Sequence, residues 1–316
     1  MSKFVLKRVL ISIVVVFLVS VFSFSLMHIL PGDPARLTLG EEASQEDVDA
    51  LRAELNLDKP ILQQYFIWIN GVLHGDFGRS IAYHRPVSEI MAERLPRTVA
   101  IGLPSLVISV VIGLCFGIIS AVKRGKAIDQ IITFFATIGM GTPVFWIGIL
   151  GIYLFAMKLQ ILPIQGFTSP AEDFGKYVHQ AILPVFCLSL HLIASIARQT
   201  RTNMLDVINQ DYIRTAKANG IRESSIIMKH ALRNTLIPII TVIAMQVRVV
   251  IGGSLIVEQV FNIAGIGQLL QTAVGNRDYL IVQGAVLVIS LVTVGCNLLV
   301  DILYGFVDPR IRKTQR

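Results

Sequence analysis

An all-α membrane protein is what this sequence predicts, and three observations carry the prediction. Hydrophobic residues make up 53% of the chain and charged residues only 16%, too few charges to coat a water-soluble globule of 316 residues. Uncharged runs long enough to cross a bilayer recur along the whole length. Between those runs the basic residues fall asymmetrically, as they do when Lys and Arg are retained on the cytoplasmic side.

The first run, Val9 to Gly32, follows Lys3, Lys7 and Arg8. It is longer than the apolar core of about 7–15 residues in a secretory signal. The Leu-Pro-Gly-Asp-Pro that ends it offers no small-x-small cleavage site, so a retained anchor is expected. Further uncharged runs are Thr98 to Val122, Gln130 to Met157, Tyr177 to Ala197 and Tyr279 to Val300, while Asn234 to Val257 is interrupted only by Arg248. Each meets the ~20 residues that a helix needs to span ~30 Å of hydrocarbon. Six transmembrane helices are therefore predicted.

Segments 1–8, 123–129, 198–233 and 301–316 hold 17 of the 28 basic residues; segments 31–97, 158–176 and 258–278 hold 10 of them and 15 of the 21 acidic ones. That asymmetry predicts cytoplasmic termini at both ends. The net charge of +7 is accounted for by this sidedness and by attraction to anionic lipid heads, with no nucleic-acid partner implied.

The largest excursion, residues 31–97, is predicted to form a helical lobe facing outward. Ser44 followed by Asp47 is a capping-box pattern, and Val48, Leu51 and Leu55 recur at helical spacing, so a helix should run to about Asn56. Pro60 then sits near the first turn of a second helix whose apolar face is Ile61, Leu62, Tyr65, Phe66 and Ile69. The lobe either packs on the outer mouth of the bundle or meets a soluble partner. In the third span, the run GMGTPVFWIG places Gly139, Gly141 and Pro143 where a bend or tight helix packing would explain them.

Residues 198–238, the basic insertion before the fifth span, read as two short helices meeting at Gly220. Asp211 is expected to cap a helix starting at Tyr212, with small Ala216 and Ala218 allowing another surface to approach, and Gly220 ending it in the left-handed conformation. The second helix is expected over roughly Ser224 to Arg233.

Catalytic signatures are missing from the sequence. His28, His74, His84, His179, His191 and His230 form no HExxH pair, no GxSxG elbow occurs, and Gly125-Lys126 is followed by Ala127, so no phosphate-binding GxxxxGK[ST] loop exists. Cys115, Cys187 and Cys296 lie in apolar runs without a CxxC pair and read as packing residues. A structured basic helix pair on a chain with no nucleotide site points to an external motor.

The segments DYIRTAKANG at 211–220 and KHALRNTLIP at 229–238 closely resemble the coupling loop of permeases of the dipeptide, oligopeptide and nickel ABC-importer family. KRVL near the start, HILPGDPA at 28–35, GDFGRS at 75–80, VEQVFNIAGIG at 257–267, NRDY at 276–279 and NLLVDILYGFVDPRIR at 297–312 extend the resemblance over nearly the whole chain. Within the family, it resembles the glutathione- and dipeptide-type permeases. The resemblance implies a type I importer fold: residues 1–97 as a first helix plus extracytoplasmic lobe, 98–306 as a five-helix core with coupling loop 198–233, and 307–316 as a cytoplasmic tail.

It implies a paralogous permease, two cytoplasmic ABC ATPases carrying the ATP and Mg, and an extracytoplasmic binding protein, in a prokaryotic inner membrane. No cofactor is expected on this chain. Positions matching the family's loop are Ala216, Gly220, His230, Leu232 and Asn234, with Tyr212, Arg214 and Ala218 as further ATPase-coupling candidates. Arg214-Thr215-Ala216 replaces the Glu-Ala-Ala of the broader importer pattern, Arg233 replaces its Pro, and Ile263-Ala264-Gly265 stands where members often have Trp-Pro-Gly. The last departure puts the rigidity of that outer turn in question.

Arg248 is the unusual residue of the spans. A cation near a helix centre costs about 2.5–3.5 kcal/mol on insertion scales, so it should face protein or a wet cavity. It would either attract a substrate carboxylate through its bidentate fork or pair with a partner-subunit acid or backbone carbonyls. Gln246, Glu258 and Asn262 are weaker candidates for the substrate path. The expected cargo is a short peptide or glutathione, with nickel chelates or sugars as alternatives. A stand-alone channel or secondary transporter, the rival class, would show buried carboxylates or inverted repeats, and neither is legible here.

Overall fold

The computed structural model describes residues 2–29, 33–40 and 42–307. Residues 30–32 of the HILPGDPA motif and 308–316 of the expected tail lie outside the described residues. The described chain is helical apart from turns and one isolated antiparallel bridge between Arg79 and Pro86. Five helices are long and apolar enough to cross a membrane, and counting one bent pair as a broken crossing makes six. The chain divides into two compact units.

The first unit comprises the described parts of Met1–Arg8, Val99–Ile263 and Cys296–Arg316. Its centre is α8 (Phe174–Ile208), against which α6 (Ala127–Gly141), α7 (Val144–Gly151) and α11 (Leu232–Val260) pack. Small residues bring α5 (Val87–Val122) close to α8: a Cβ on Gly113 would lie 2.8 Å from the Ile196 side chain, and one on Gly117 would lie 2.7 Å from the Ala197 carbonyl. Gly113 and Gly117 form a GxxxG face, the spacing that lets two membrane helices touch backbones. Serines fasten the same contact, with Ser109 Oγ donating to the Ser189 carbonyl (3.2 Å) and Ser189 Oγ to the Ser105 carbonyl (3.3 Å). The Tyr177 hydroxyl donates to the Ala100 carbonyl at 2.6 Å.

The third span is broken at the Gly-Pro run. Ala127–Gly141 and Val144–Lys158 meet at 101°, the second piece ending in a π-helical stretch, Ile152–Lys158. Pro143 has no N–H to continue α6 and drives Thr142 into extended geometry (φ −93°, ψ 127°). Packing acts as well, since a Cβ on Gly139 would lie 3.3 Å from Ala194 Cβ. Both readings of the Gly-Pro run hold together.

The second unit comprises Val9–Thr98 and Ala264–Gly295. Ser44 caps α3 (Gln45–Glu54) as expected, accepting from the Asp47 N–H at 3.1 Å. Asp33 caps a shorter helix, α2 (Pro34–Leu39), which hydrophobic periodicity did not reveal. The second expected lobe helix is α4 (Ile61–Leu73). The NRDY motif acquires a physical reason: the buried Asp278 accepts from Ser80 Oγ (2.5 Å), from the Ala82 N–H (3.2 Å) and from the Ile281 N–H (3.3 Å). One carboxylate thus caps α13 (Tyr279–Val307) and holds the turn after GDFGRS. Before α12 (Ile266–Gly275), Thr98 Oγ accepts from the Ile266 N–H (2.9 Å) and Arg97 donates to the Ala264 carbonyl (3.5 Å), side-chain bonds that hold this turn without the Trp-Pro pair.

Candidate functional site

The basic insertion folds as α9 (Asp211–Ala218), a turn at Gly220, and then a helical path that does not stop where the sequence suggested. Asp211 is the first helical residue and not the cap. Gln210 takes the extended cap position (φ −76°, ψ 152°) without a side-chain bond, and Asp211 serves the positive end of the helix. Gly220 has φ +75°, the Gly220 N–H donates to the Lys217 carbonyl (3.0 Å) and the Ile221 N–H to the Ala216 carbonyl (3.2 Å). These two bonds are the signature of a Schellman ending, which needs a left-handed residue at that position.

The expected second helix, Ser224 to Arg233, is not separate. α10 (Glu223–Ser225) runs into a π-helical turn, Ile226–Ala231, and through it into α11. Residues 226, 231 and 232 all keep right-handed helical backbone, so residues 223–260 run as one continuous helical path. Inserting one extra residue per turn lets Asn234 reach back: its Nδ2 donates to the His230 carbonyl (3.0 Å) and to the Tyr212 hydroxyl (2.8 Å), which ties α9 to α11.

The predicted residues separate by face. Ile213 and Ala216 turn inward against Ile226, all three buried. Ala216, expected to admit another surface, instead packs against its own chain, because positions three apart share one helix face. Tyr212, Arg214, Ala218, Gly220 and Asn234 are exposed; His230 and Leu232 are half-buried. Beneath them Leu232 and Ile227 pack with Ala231, Met204, Leu205 and Ala121. The π-helical turn therefore rests on the ends of α5 and α8.

That seat contains a pair that reading the sequence missed. Asp129, with 6% of its side chain exposed, accepts from Arg201 Nε (2.7 Å) and Nη2 (2.9 Å) in a bidentate fork, from the Gly125 N–H (2.9 Å) and from Ser120 Oγ. It joins the turn after α5, the start of α6 and the end of α8. An acid directly before an apolar run was the available signal, but its partner is 72 residues away.

The substrate-path candidates do not converge. Arg248 is exposed, with Nε and Nη2 each 3.4 Å from Asn297 Oδ1. Gln246 is buried and donates to Ser195 Oγ (3.0 Å), its Oε1 lacking a hydrogen-bond partner among the described residues. Glu258 has no exposed surface. Asn262 is exposed and left-handed (φ +50°), and the Ile263 N–H donates to the Glu258 carbonyl (2.8 Å), so Asn262 ends α11 as Gly220 ends α9. Among the described residues no group of three or more His, Cys, Asp or Glu could hold a metal ion. The three cysteines are free.

Comparison with known proteins agrees with this architecture. Residues 113–313 match the family described as "Binding-protein-dependent transport system inner membrane component", and residues 1–102 match the N-terminal region of such membrane components. The chain is 40% identical over 312 residues to the probable peptide ABC transporter permease protein y4tP of Sinorhizobium fredii, covering 99% of this chain and 100% of that one. It is 38% identical over 314 residues to the oligopeptide transport system permease protein AppB of Bacillus subtilis (98% and 99% covered). It is 39% identical over 312 residues to the glutathione transport system permease protein GsiC of Escherichia coli (99% of each). Among solved structures, a chain of the inward-facing MetNI methionine ABC transporter aligns with TM-score 0.54 at 16% identity, covering 69% of this chain and 96% of that one, a likeness of fold.

Proposed function

This chain belongs to the family of binding-protein-dependent transport system inner membrane components, and on that premise we propose that residues 211–234 receive the stroke of separate ATPase subunits and pass it to the spans. It is a multi-pass inner-membrane permease subunit of an ABC importer and not the ATPase. The observation that carries the coupling role is the Schellman turn at Gly220. It presents Tyr212, Arg214 and Ala218 outward while Ile213 and Ala216 anchor the turn from beneath. The Asn234–Tyr212 bond ties α9 to α11, and Ile226–Ala231 continues into that helix, so a push on α9 is passed to the fifth span.

The complete importer then comprises this chain, a paralogous permease, two cytoplasmic ATPases that bind ATP and Mg, and an extracytoplasmic binding protein. Short peptides or glutathione are the cargo, in keeping with the names of the relatives. Both termini are cytoplasmic, supported by the Arg8–Asp301 ion pair at 3.0 Å, which sets the start of α1 (Ser2–Ile29) beside the end of α13. The open face of α11 with Arg248 and the exposed Asn262 line the path, and Gln246 and Glu258 secure that helix from its buried side.

The test is Gly220→Val in the reconstituted complex. A Cβ at Gly220 meets no atom within 4 Å, so the cost is backbone strain at φ +75° and not a clash. That strain is about 1–2 kcal/mol for an ordinary residue and less for Asn. Gly220→Val should lower uptake per ATP hydrolysed or prevent ATPase docking, with Gly220→Asn near wild type. Equal transport by all three refutes the coupling role, and conduction by the chain alone in liposomes refutes the permease-subunit reading in favour of a channel.

A further inference from the structure

Among the described residues, one face of α11 is exposed. Thr241, Met245, Arg248, Val249, Gly252 and Ile256 are all exposed, recurring every three or four residues with Arg248 and Val249 side by side, so that they form a single stripe. A Cβ on Gly252 would meet nothing within 4 Å, whereas one on the neighbouring Gly253 would lie 2.8 Å from Leu188. The stripe is therefore the side turned away from α8.

Arg248 lies near the middle of the Pro238–Val260 span, where an unanswered cation is costly. Among the described residues its hydrogen-bond acceptor is Asn297 Oδ1, an uncharged oxygen shared by two donors at 3.4 Å, the long end of the hydrogen-bond range. Among the described residues no Asp or Glu forms an ion pair with it. The contrast with Arg201 is direct: that guanidinium meets a carboxylate bidentately at 2.7 and 2.9 Å. At Arg248 the acceptor is a neutral amide oxygen. Asn297 fixes one edge of the guanidinium, and its amide carries N–H donors of its own beside the fork.

We propose that Arg248, oriented by Asn297, is a binding site for a free carboxylate on the transported solute. The inference rests on the permease reading above and adds the chemical group that the path recognises. A carboxylate also ends an acidic side chain, so the paired permease is the second source of the same chemistry.

The experiment uses the assembled complex in detergent without its binding protein, with alanyl-alanine and alanyl-alanine amide as probes, read by saturation-transfer NMR. The free acid should receive saturation from the wild-type complex and the amide should not. Arg248→Met should weaken acid binding about 10- to 100-fold, the worth of a charge-assisted contact, and Arg248→Lys should retain more because it keeps the cation. Asn297→Ala should give a smaller loss. Absence of transfer to the acid in the wild type, equal transfer to acid and amide, or undiminished transfer in Arg248→Met each overturns the proposal.

If Arg248→Met instead breaks the complex apart, the anion belongs to the paired permease and the solute site is refuted. Binding-protein-stimulated ATP hydrolysis, measured on the same preparations, keeps the two readings distinct. Its absence in the wild-type complex would count against the permease reading itself, whereas its presence with no transfer to the acid would overturn the carboxylate site alone.

Discussion

Removing the Asp129 carboxylate tests how the coupling segment is seated. The wild-type carboxylate receives two bonds from Arg201, at 2.7 and 2.9 Å, one from the Gly125 N–H at 2.9 Å, and one from Ser120 Oγ. Breaking a fully buried ion pair costs about 3–5 kcal/mol. Arg201 keeps 28% of its side chain exposed and is rehydrated when its partner is lost, so the pair is worth less than that. Asp129→Ala should therefore cost about 3 kcal/mol, since it also strands the Gly125 N–H and the Ser120 hydroxyl, and Arg201→Ala about 2 kcal/mol. The double substitution should cost about 3 kcal/mol, a coupling energy of about 2 kcal/mol. The assay is reversible unfolding in mixed micelles, followed by helical circular dichroism across a denaturing-detergent titration. Single effects that add to within about 0.5 kcal/mol in the double variant would refute the reasoning, because independent residues add and a shared bond does not.

Three further outcomes follow from the packing and the hydrogen bonds. Gly117→Ala places a methyl 2.7 Å from the Ala197 carbonyl and should lower stability by about 1–3 kcal/mol, read as a lower thermal-aggregation midpoint, whereas Gly141→Ala enters open space and should not. Tyr212→Phe removes the bond to Asn234 and should cost about 1 kcal/mol locally, seen as faster amide exchange in α9 with α11 unaffected. Ser80→Ala unties the 80–83 turn from Asp278 and should speed proteolysis of residues 79–86, while the coupling segment keeps its protease resistance.

Features that depend on near neighbours were legible without coordinates. The capped start of α3 at Ser44 and the left-handed end of α9 at Gly220 depend on bonds spanning a few residues, and the spans depend on runs of apolar side chains. The GxxxG spacing of Gly113 and Gly117 was equally available in the sequence and went unread, because many glycine pairs at that spacing pack against nothing. The Asp211 cap was misplaced by one residue because either residue has reasonable local chemistry. Ala216 was assigned to the wrong face, since a short exposed helix does not declare which side its own chain will cover.

The amino-acid order by itself determined that the chain is helical and membrane-embedded, where its basic loop lies, and that a glycine turn organises it, because hydrophobic run length and backbone conformational preference are local quantities. Tertiary structure alone decided the Asp129–Arg201 fork and the open setting of Arg248. Each of these depends on which distant helix arrives beside a residue. No periodicity encodes that, since an arginine reads the same in sequence whether a carboxylate meets it or an unpaired helix face leaves it waiting for one.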